Sequence, residues 1–196
     1  MSIWMNFIAE GFKFYAEISI YAVIACVVVA LVTTGKFNPV RFLADQAMVL
    51  YLCCLGMLVL SPMPGAGAEA AGLRYQFIPF YWVFDVLTKP SVHAFSGMLL
   101  NILMTIPFGM YLRYVYRMSS RKVILYALAL TLCIEFLQLT GVFGTFQVSY
   151  RLCDVDDMIT NTLGGYLGYL LVRRVEDLVP ALVDFEGKKT VWSLMN

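Results

Sequence analysis

KVILYALALTLCIEFLQLTGVF, residues 122–143, is an apolar run with a glutamate and a glutamine sunk inside it. A helix needs about 20 mostly apolar residues to cross the hydrocarbon of a bilayer. This run has that length, and backbone groups lying in lipid must be satisfied internally, which predicts a helix. Outward from it, four further runs read the same way: 14–34, 43–61, 94–115 and 155–172. The last is short, but Arg173 and Arg174 can anchor its end by snorkelling. The predicted fold is all-α: a polytopic membrane helical bundle of five transmembrane helices.

Composition agrees. Of the 196 residues, 61% are hydrophobic, 15% aromatic and 14% charged, and the mean hydropathy is +0.77. A soluble domain carries about 25% charged residues. The 14 Lys+Arg and 13 Asp+Glu are too few to coat a compact soluble surface, which argues against an ordinary water-soluble enzyme. So apolar a chain is not disordered. A net charge of +1 excludes nucleic-acid binding by bulk charge. Cys26, Cys53, Cys54 and Cys133 lie inside apolar runs, and with Cys153 they form no CxxC or Cys/His cluster. Neither a metal site nor a disulfide framework is predicted. The apolar run Ile18 to Thr34 is longer than a signal-peptide core, and no Ala-x-Ala site follows it. Before it, Asn6, Glu10, Lys13 and Glu17 fall at helical spacing, predicting an interfacial helix that leads into the first span.

Segment 62–92 reads differently. It opens Pro62-Met63-Pro64-Gly65, passes through small residues, and continues Tyr75-Gln76-Phe77-Ile78-Pro79-Phe80-Tyr81-Trp82. Pro79 and Pro90, with Asp85 between them, argue against a straight span, and the aromatics suit an interfacial or re-entrant element. A sixth span is the alternative. With five spans and the C-terminus inside, Lys36, Arg41, Arg113, Arg117, Arg121, Lys122, Arg173, Arg174, Lys188 and Lys189 are cytoplasmic, and Lys13, Arg74, Lys89 and Arg151 are outside. Six spans give the same ten-to-four ratio. Both place the 113–122 loop and the tail inside and the 144–154 loop outside.

Polar groups in lipid are costly and mark a cavity, a partner or a site. Three predicted spans carry them. In the fifth, Asp154, Asp157, Asn161, Gly164 and Gly168 are separated by 3, 4, 3 and 4 residues, one face about 80° wide. Asp154 or Asp156 can also cap that helix, and the glycines can permit close packing. The fourth carries Thr131, Glu135 and Gln138 on one face, and the third His93, Gly97, Asn101 and Thr105 at intervals of four. Asn101 and Asn161 each fall about 10 Å deep at 1.5 Å per residue. Pro107 and Gly109 predict a kink in the third span. Asn101, Glu135, Gln138 and Asn161 come from three consecutive helices at similar depth in the outer half, so they satisfy one another only by converging. The convergent site would open outward beneath Arg151, Asp154, Asp157 and His93. Arg151 is the natural counter-ion for the carboxylates or for a ligand oxyanion.

Asn101-Ile-Leu-Met-Thr-Ile-Pro107-Phe-Gly109, then Ile134-Glu135-Phe-Leu-Gln138, then Arg151-x-x-Asp154-x-x-Asp157-x-x-x-Asn161-x-x-Gly164-x-x-x-Gly168 resembles the VanZ-like family over about residues 75–172. The block shows no departure from the family pattern, and its positions Asn101, Glu135, Gln138, Arg151, Asp154, Asp157 and Asn161 coincide with the polar stripe. The resemblance implies an integral protein of the bacterial cytoplasmic membrane. It also implies a context, the cell envelope, since the family takes its name from members that raise resistance to lipophilic glycopeptides such as teicoplanin. It implies no single reaction. On this reading residues 1–61 are a two-helix extension, 62–172 the VanZ-like core and 173–196 a cytoplasmic tail.

Three functions compete. The first is binding of a membrane lipid, a lipid-linked envelope precursor or a lipophilic glycopeptide. Arg151 would hold an anionic group, Gln138, Asn101, Asn161 and His93 would supply polar contacts, and aromatics 77–82 would meet the apolar part. The second is catalysis on a lipid-linked or peptide substrate. Glu135 would act as general acid or base, and Asp154 and Asp157 would hold a divalent ion only if substrate phosphates completed its shell. No resident metal is implied, and the residues leave the cofactor unknown. The third is a structural partner subunit whose stripe is bundle glue. A transport channel fits less well, because the stripe thins to Gly164, Gly165 and Gly168 toward the inner half.

Overall fold

In the computed structural model, which describes residues 3–34, 38–60, 75–88, 92–141 and 152–178 (backbone alone at 3, 4, 33, 34, 85, 86 and 92–94), the described residues of every predicted apolar run are helical but for a turn at Thr140. The order is α1 (Ile3–Thr34), α2 (Pro39–Leu60), β1 (Tyr75–Gln76), α3 (Tyr81–Thr88), α4 (Val92–Tyr116), α5 (Ser120–Leu139), β2 (Cys153–Asp154) and α6 (Val155–Val175). Among the described residues, four helices are long and apolar enough to cross a membrane: α1 over Met5–Val32, α2, α4 over Phe95–Tyr116, and α5. The fifth predicted crossing is α6. Its 21 residues make about 31 Å, matching a bilayer core. Asp156, Asp157, Thr160, Asn161 and Thr162 lower its apolar content, and it is not among the four.

The elements start and stop for local reasons. Asn38 caps α2: its side-chain oxygen accepts the Val40 N–H at 2.9 Å and the Arg41 N–H at 3.1 Å. Pro39 at the first helical position has no N–H to satisfy. α4 ends where Arg117 adopts a left-handed φ of 51°, which lets the Met118 N–H reach back to the Leu112 carbonyl at 3.3 Å. Asn6, Glu10, Lys13 and Glu17 belong to one unbroken helix with the span that follows them. α4 is also helical on both sides of Pro107, so the predicted kink does not interrupt it. The described part of the 62–92 segment contains β1, a turn and the eight-residue α3, and no helix there is long enough to cross a bilayer.

The chain divides into two compact units. The first comprises Met1–Leu58, Met110–Met118 and Leu171–Asn196. In it α1 and α2 touch at Gly11, where a Cβ would lie 2.6 Å from Cys54 Cα. The Tyr15 hydroxyl donates to Gln46 Oε1 at 2.8 Å. The hydroxyls of Tyr111 and Tyr116 donate to Asp45 at 2.6 and 3.3 Å, and the Arg41 guanidinium lies 4.8 Å from the Tyr116 ring centre. Arg113 Nε donates to Glu176 at 2.9 Å.

The second unit comprises Val59–Gly109 and Ser119–Leu170. In it α6 meets α4 and α5 through its glycines. A Cβ on Gly164 would overlap the Ile102 carbonyl, one on Gly109 would overlap the Gly165 carbonyl, and one on Gly165 would lie 2.7 Å from Ala127 Cβ. Small residues permit this backbone approach, which is how helices pack where lipid removes the hydrophobic drive. β1 and β2 pair in parallel, Tyr75 with Cys153 and Gln76 with Asp154.

Candidate functional site

The N-terminus of α6 organises the polar residues. Asp154 caps it, its Oδ1 accepting the Asp156 N–H at 2.9 Å. The Asp154 N–H in turn donates to Glu135 Oε2 on α5 at 3.2 Å. Glu135 is 3% exposed. The next turn of α6 faces α4, where Asn101 Nδ2 donates to Asp157 Oδ1 at 2.5 Å. Glu135 and Asp157 are electrostatic neighbours. One turn deeper, Asn161 Nδ2 donates to Thr131 Oγ1 on α5 at 3.1 Å, both side chains being buried. The polar faces of the three helices meet, but not by the mutual pairing expected of Asn101, Glu135, Gln138 and Asn161: each bonds a residue outside that set, Asn101 on α4 with Asp157 of α6, Glu135 on α5 with the Asp154 N–H, and Asn161 of α6 with Thr131 of α5.

Gln138 does not join this group. It is buried, and its Nε2 donates to the Val59 carbonyl at the end of α2, 2.7 Å away. His93 lies in the first turn of α4, its side chain outside the described set, and Arg151 lies outside the described residues.

Two residues of the site escaped the stripe pattern. The spacing offers Asp156 only as a cap for its own helix, yet its carboxylate caps α3 from across the unit. It accepts the Phe80 N–H at 2.5 Å and the Trp82 N–H at 3.1 Å, two of the orphan donors at the start of that helix. Phe80 has φ 64°, a left-handed conformation that costs a bulky residue about 1–2 kcal/mol. Charge-assisted bonds to a buried carboxylate offset that cost. No spacing rule reveals such a partner, because Asp156 and Phe80 are 76 residues apart. Cys153 is the second. It is buried in β2, with its thiol against Glu135. Burial, then the neighbouring Glu135 carboxyl, pushes the thiol up to about 11. Its proton is held more tightly folded than unfolded, so this group's contribution to stability declines as pH rises from about 9 toward about 11. Cys153 is expected to alkylate at pH 8 about 100-fold more slowly than an ordinary thiol. Mass spectrometry of its peptide measures the rate, and Glu135→Gln, which removes a negative neighbour, should raise it.

Among the described residues, no group of three or more His, Cys, Asp or Glu side chains is set to hold a metal ion. The arrangement offers carboxyl and amide groups within the same half of three helices. A family model described as VanZ/LLP1 matches residues 48–176.

The chain belongs to the VanZ/LLP1 family. No curated protein and no solved structure matches it. The VanZ/LLP1 match begins inside α2 and covers every residue of the site, Val59 included. With four helices long and apolar enough to cross a membrane among the described residues, the chain is a multi-pass membrane protein of that family.

Proposed function

We propose that this VanZ/LLP1 protein sits in the bacterial cytoplasmic membrane with its C-terminus inside. There it binds the polar head of a lipid-linked cell-envelope molecule or a lipophilic glycopeptide in an outward-facing pocket, with a role in glycopeptide resistance. The observation that carries the reading is the meeting of Asn101, Glu135 and Asp157, from three different helices, at the capped end of α6. Acidic and amide groups at a bundle end meet the needs of a headgroup rich in hydroxyl and amide donors. Arg151, three residues before the cap, supplies the oxyanion contact. The ten-to-four distribution of Lys and Arg puts that end outside, and the chain organisation follows as a core at 62–172 between an extension and a tail. Binding of a labelled lipid-linked precursor to the reconstituted protein tests the proposal. Arg151→Ala is expected to weaken it about tenfold, or about 1.4 kcal/mol. Equal binding by wild type and variant would remove Arg151 from the site.

Catalysis at the same place is the second reading, favoured by Glu135 being 3% exposed and beside a second carboxyl. Buried acids next to one another are a common setting for proton transfer.

A further inference from the structure

Residues 75–84, YQFIPFYWVF, carry no charge, yet their apolar side chains point outward. Tyr75, Phe77, Ile78 and Phe80 are 61, 63, 63 and 60% exposed, and Phe84 and Leu87 continue the surface along α3 at 56 and 76%. On α3, Val83, Phe84 and Leu87 share one side, and the less exposed Trp82 points elsewhere. A patch of this kind marks an interaction surface.

Several backbone polar groups of the same stretch are already occupied. Gln76 brackets Ile78: its Oε1 accepts the Ile78 N–H, and its Nε2 donates to the Ile78 carbonyl at 2.7 Å. Pro79 has no N–H. Asp156 takes the N–H groups of Phe80 and Trp82, and the Phe80 carbonyl accepts the Val83 N–H at 3.0 Å. A loop in water has no need of such partners, because water supplies them. An irregular loop in hydrocarbon does need them. The position along the chain agrees. Lys89, Pro90 and Ser91 are all that separate α3 from α4. The apolar side chains Phe95, Leu99 and Leu103 of α4 are themselves 52, 41 and 52% exposed along a helix long and apolar enough to cross a membrane, so α3 is joined by three residues to a helix with its own exposed apolar surface.

We infer that residues 75–88 are embedded at the edge of the bilayer, their exposed aromatics and Leu87 against lipid acyl chains, and that Gln76 and Asp156 lower the cost of placing this irregular backbone there by pairing the amides of Ile78, Phe80 and Trp82. The partner of this surface is the membrane itself. The inference stands apart from the proposed ligand and holds whether or not the site binds one.

The test uses the full chain in phosphatidylcholine vesicles. Trp4, Trp82 and Trp192 are replaced by Phe, and a single reporter is introduced as Phe84→Trp or, in a second protein, Leu87→Trp. With acyl-brominated phosphatidylcholine, reporter emission is expected to fall about twofold or more, while aqueous iodide has little effect. Adding Asp156→Ala should release the segment, so bromine quenching falls and iodide quenching rises. Quenching by iodide instead of bromine would show a water-facing loop, and quenching by neither would show a protein-covered one. Either result overturns the inference. A reporter unmoved by Asp156→Ala would overturn the part assigned to Asp156.

Discussion

Gly109→Ala is expected to remove most of the folded protein from the membrane. A methyl group at 109 would overlap the Gly165 carbonyl and approach its Cα. Those are backbone atoms of a second helix, so no side-chain rotation relieves the clash. Separating α4 from α6 would also pull apart Asn101 and Asp157, whose 2.5 Å bond joins the same two helices. Overpacking of this severity costs about 3 kcal/mol. Gly164→Ala meets the Ile102 carbonyl and the Thr105 hydroxyl and should behave alike. Gly56 and Gly97 are the controls, since nothing lies within 4 Å of a Cβ at either position. Alanine there is expected to be neutral, or to stabilise by up to about 1 kcal/mol through helix propensity. Yield of monodisperse protein in detergent and its melting temperature read all four. Equal behaviour of Gly109→Ala and Gly97→Ala would contradict the close α4–α6 packing.

The polar residues are expected to separate into two classes when abundance and function are measured in the same cells. Asn161→Leu leaves the buried Thr131 hydroxyl without the Asn161 amide, and Gln138→Leu removes the amide that reaches the Val59 carbonyl. Such interhelical bonds contribute about 1 kcal/mol each, so abundance and function should fall together. Asp157→Asn and Glu135→Gln keep shape and hydrogen-bonding capacity. They are expected to preserve abundance while lowering glycopeptide tolerance or precursor binding about tenfold. Glu135→Gln also divides the two readings of the site, because a binder loses affinity whereas an enzyme keeps affinity and loses turnover. Full cellular function in both carboxyl variants would leave bundle glue as the better account of the whole stripe.

Much of this arrangement was legible in the residues. The apolar runs 43–61, 94–115 and 122–143 correspond to α2, α4 and α5 with end points shifted by a few residues, because a stretch of that length and hydropathy has one way to satisfy its backbone in lipid. The spacing that put Asp157, Asn161 and Gly164 on one face also held, since those positions meet α4 and α5. In α6 polar residues take the place of apolar ones, so hydropathy and chemistry conflict in one helix and it is not among the four long, apolar helices. Gln138 lay on the right face but reached a different neighbour. Depth and face are set by its own helix, whereas the choice of partner depends on what packs there.

Sequence alone determined that this chain is an all-α membrane protein of the VanZ/LLP1 kind with acids and amides buried among its helices, since lipid leaves little choice in secondary structure and periodicity fixes the face of each residue. Tertiary structure alone decided the pairings: Asn101 with Asp157, Asn161 with Thr131, Gln138 with Val59, and Asp156 with the amides of Phe80 and Trp82. The reason is range. A helical face follows from neighbours three or four residues away, but a hydrogen bond between helices is closed by groups 30 to 79 residues apart, whose meeting depends on how closely glycines such as Gly109 and Gly165 let the backbones approach.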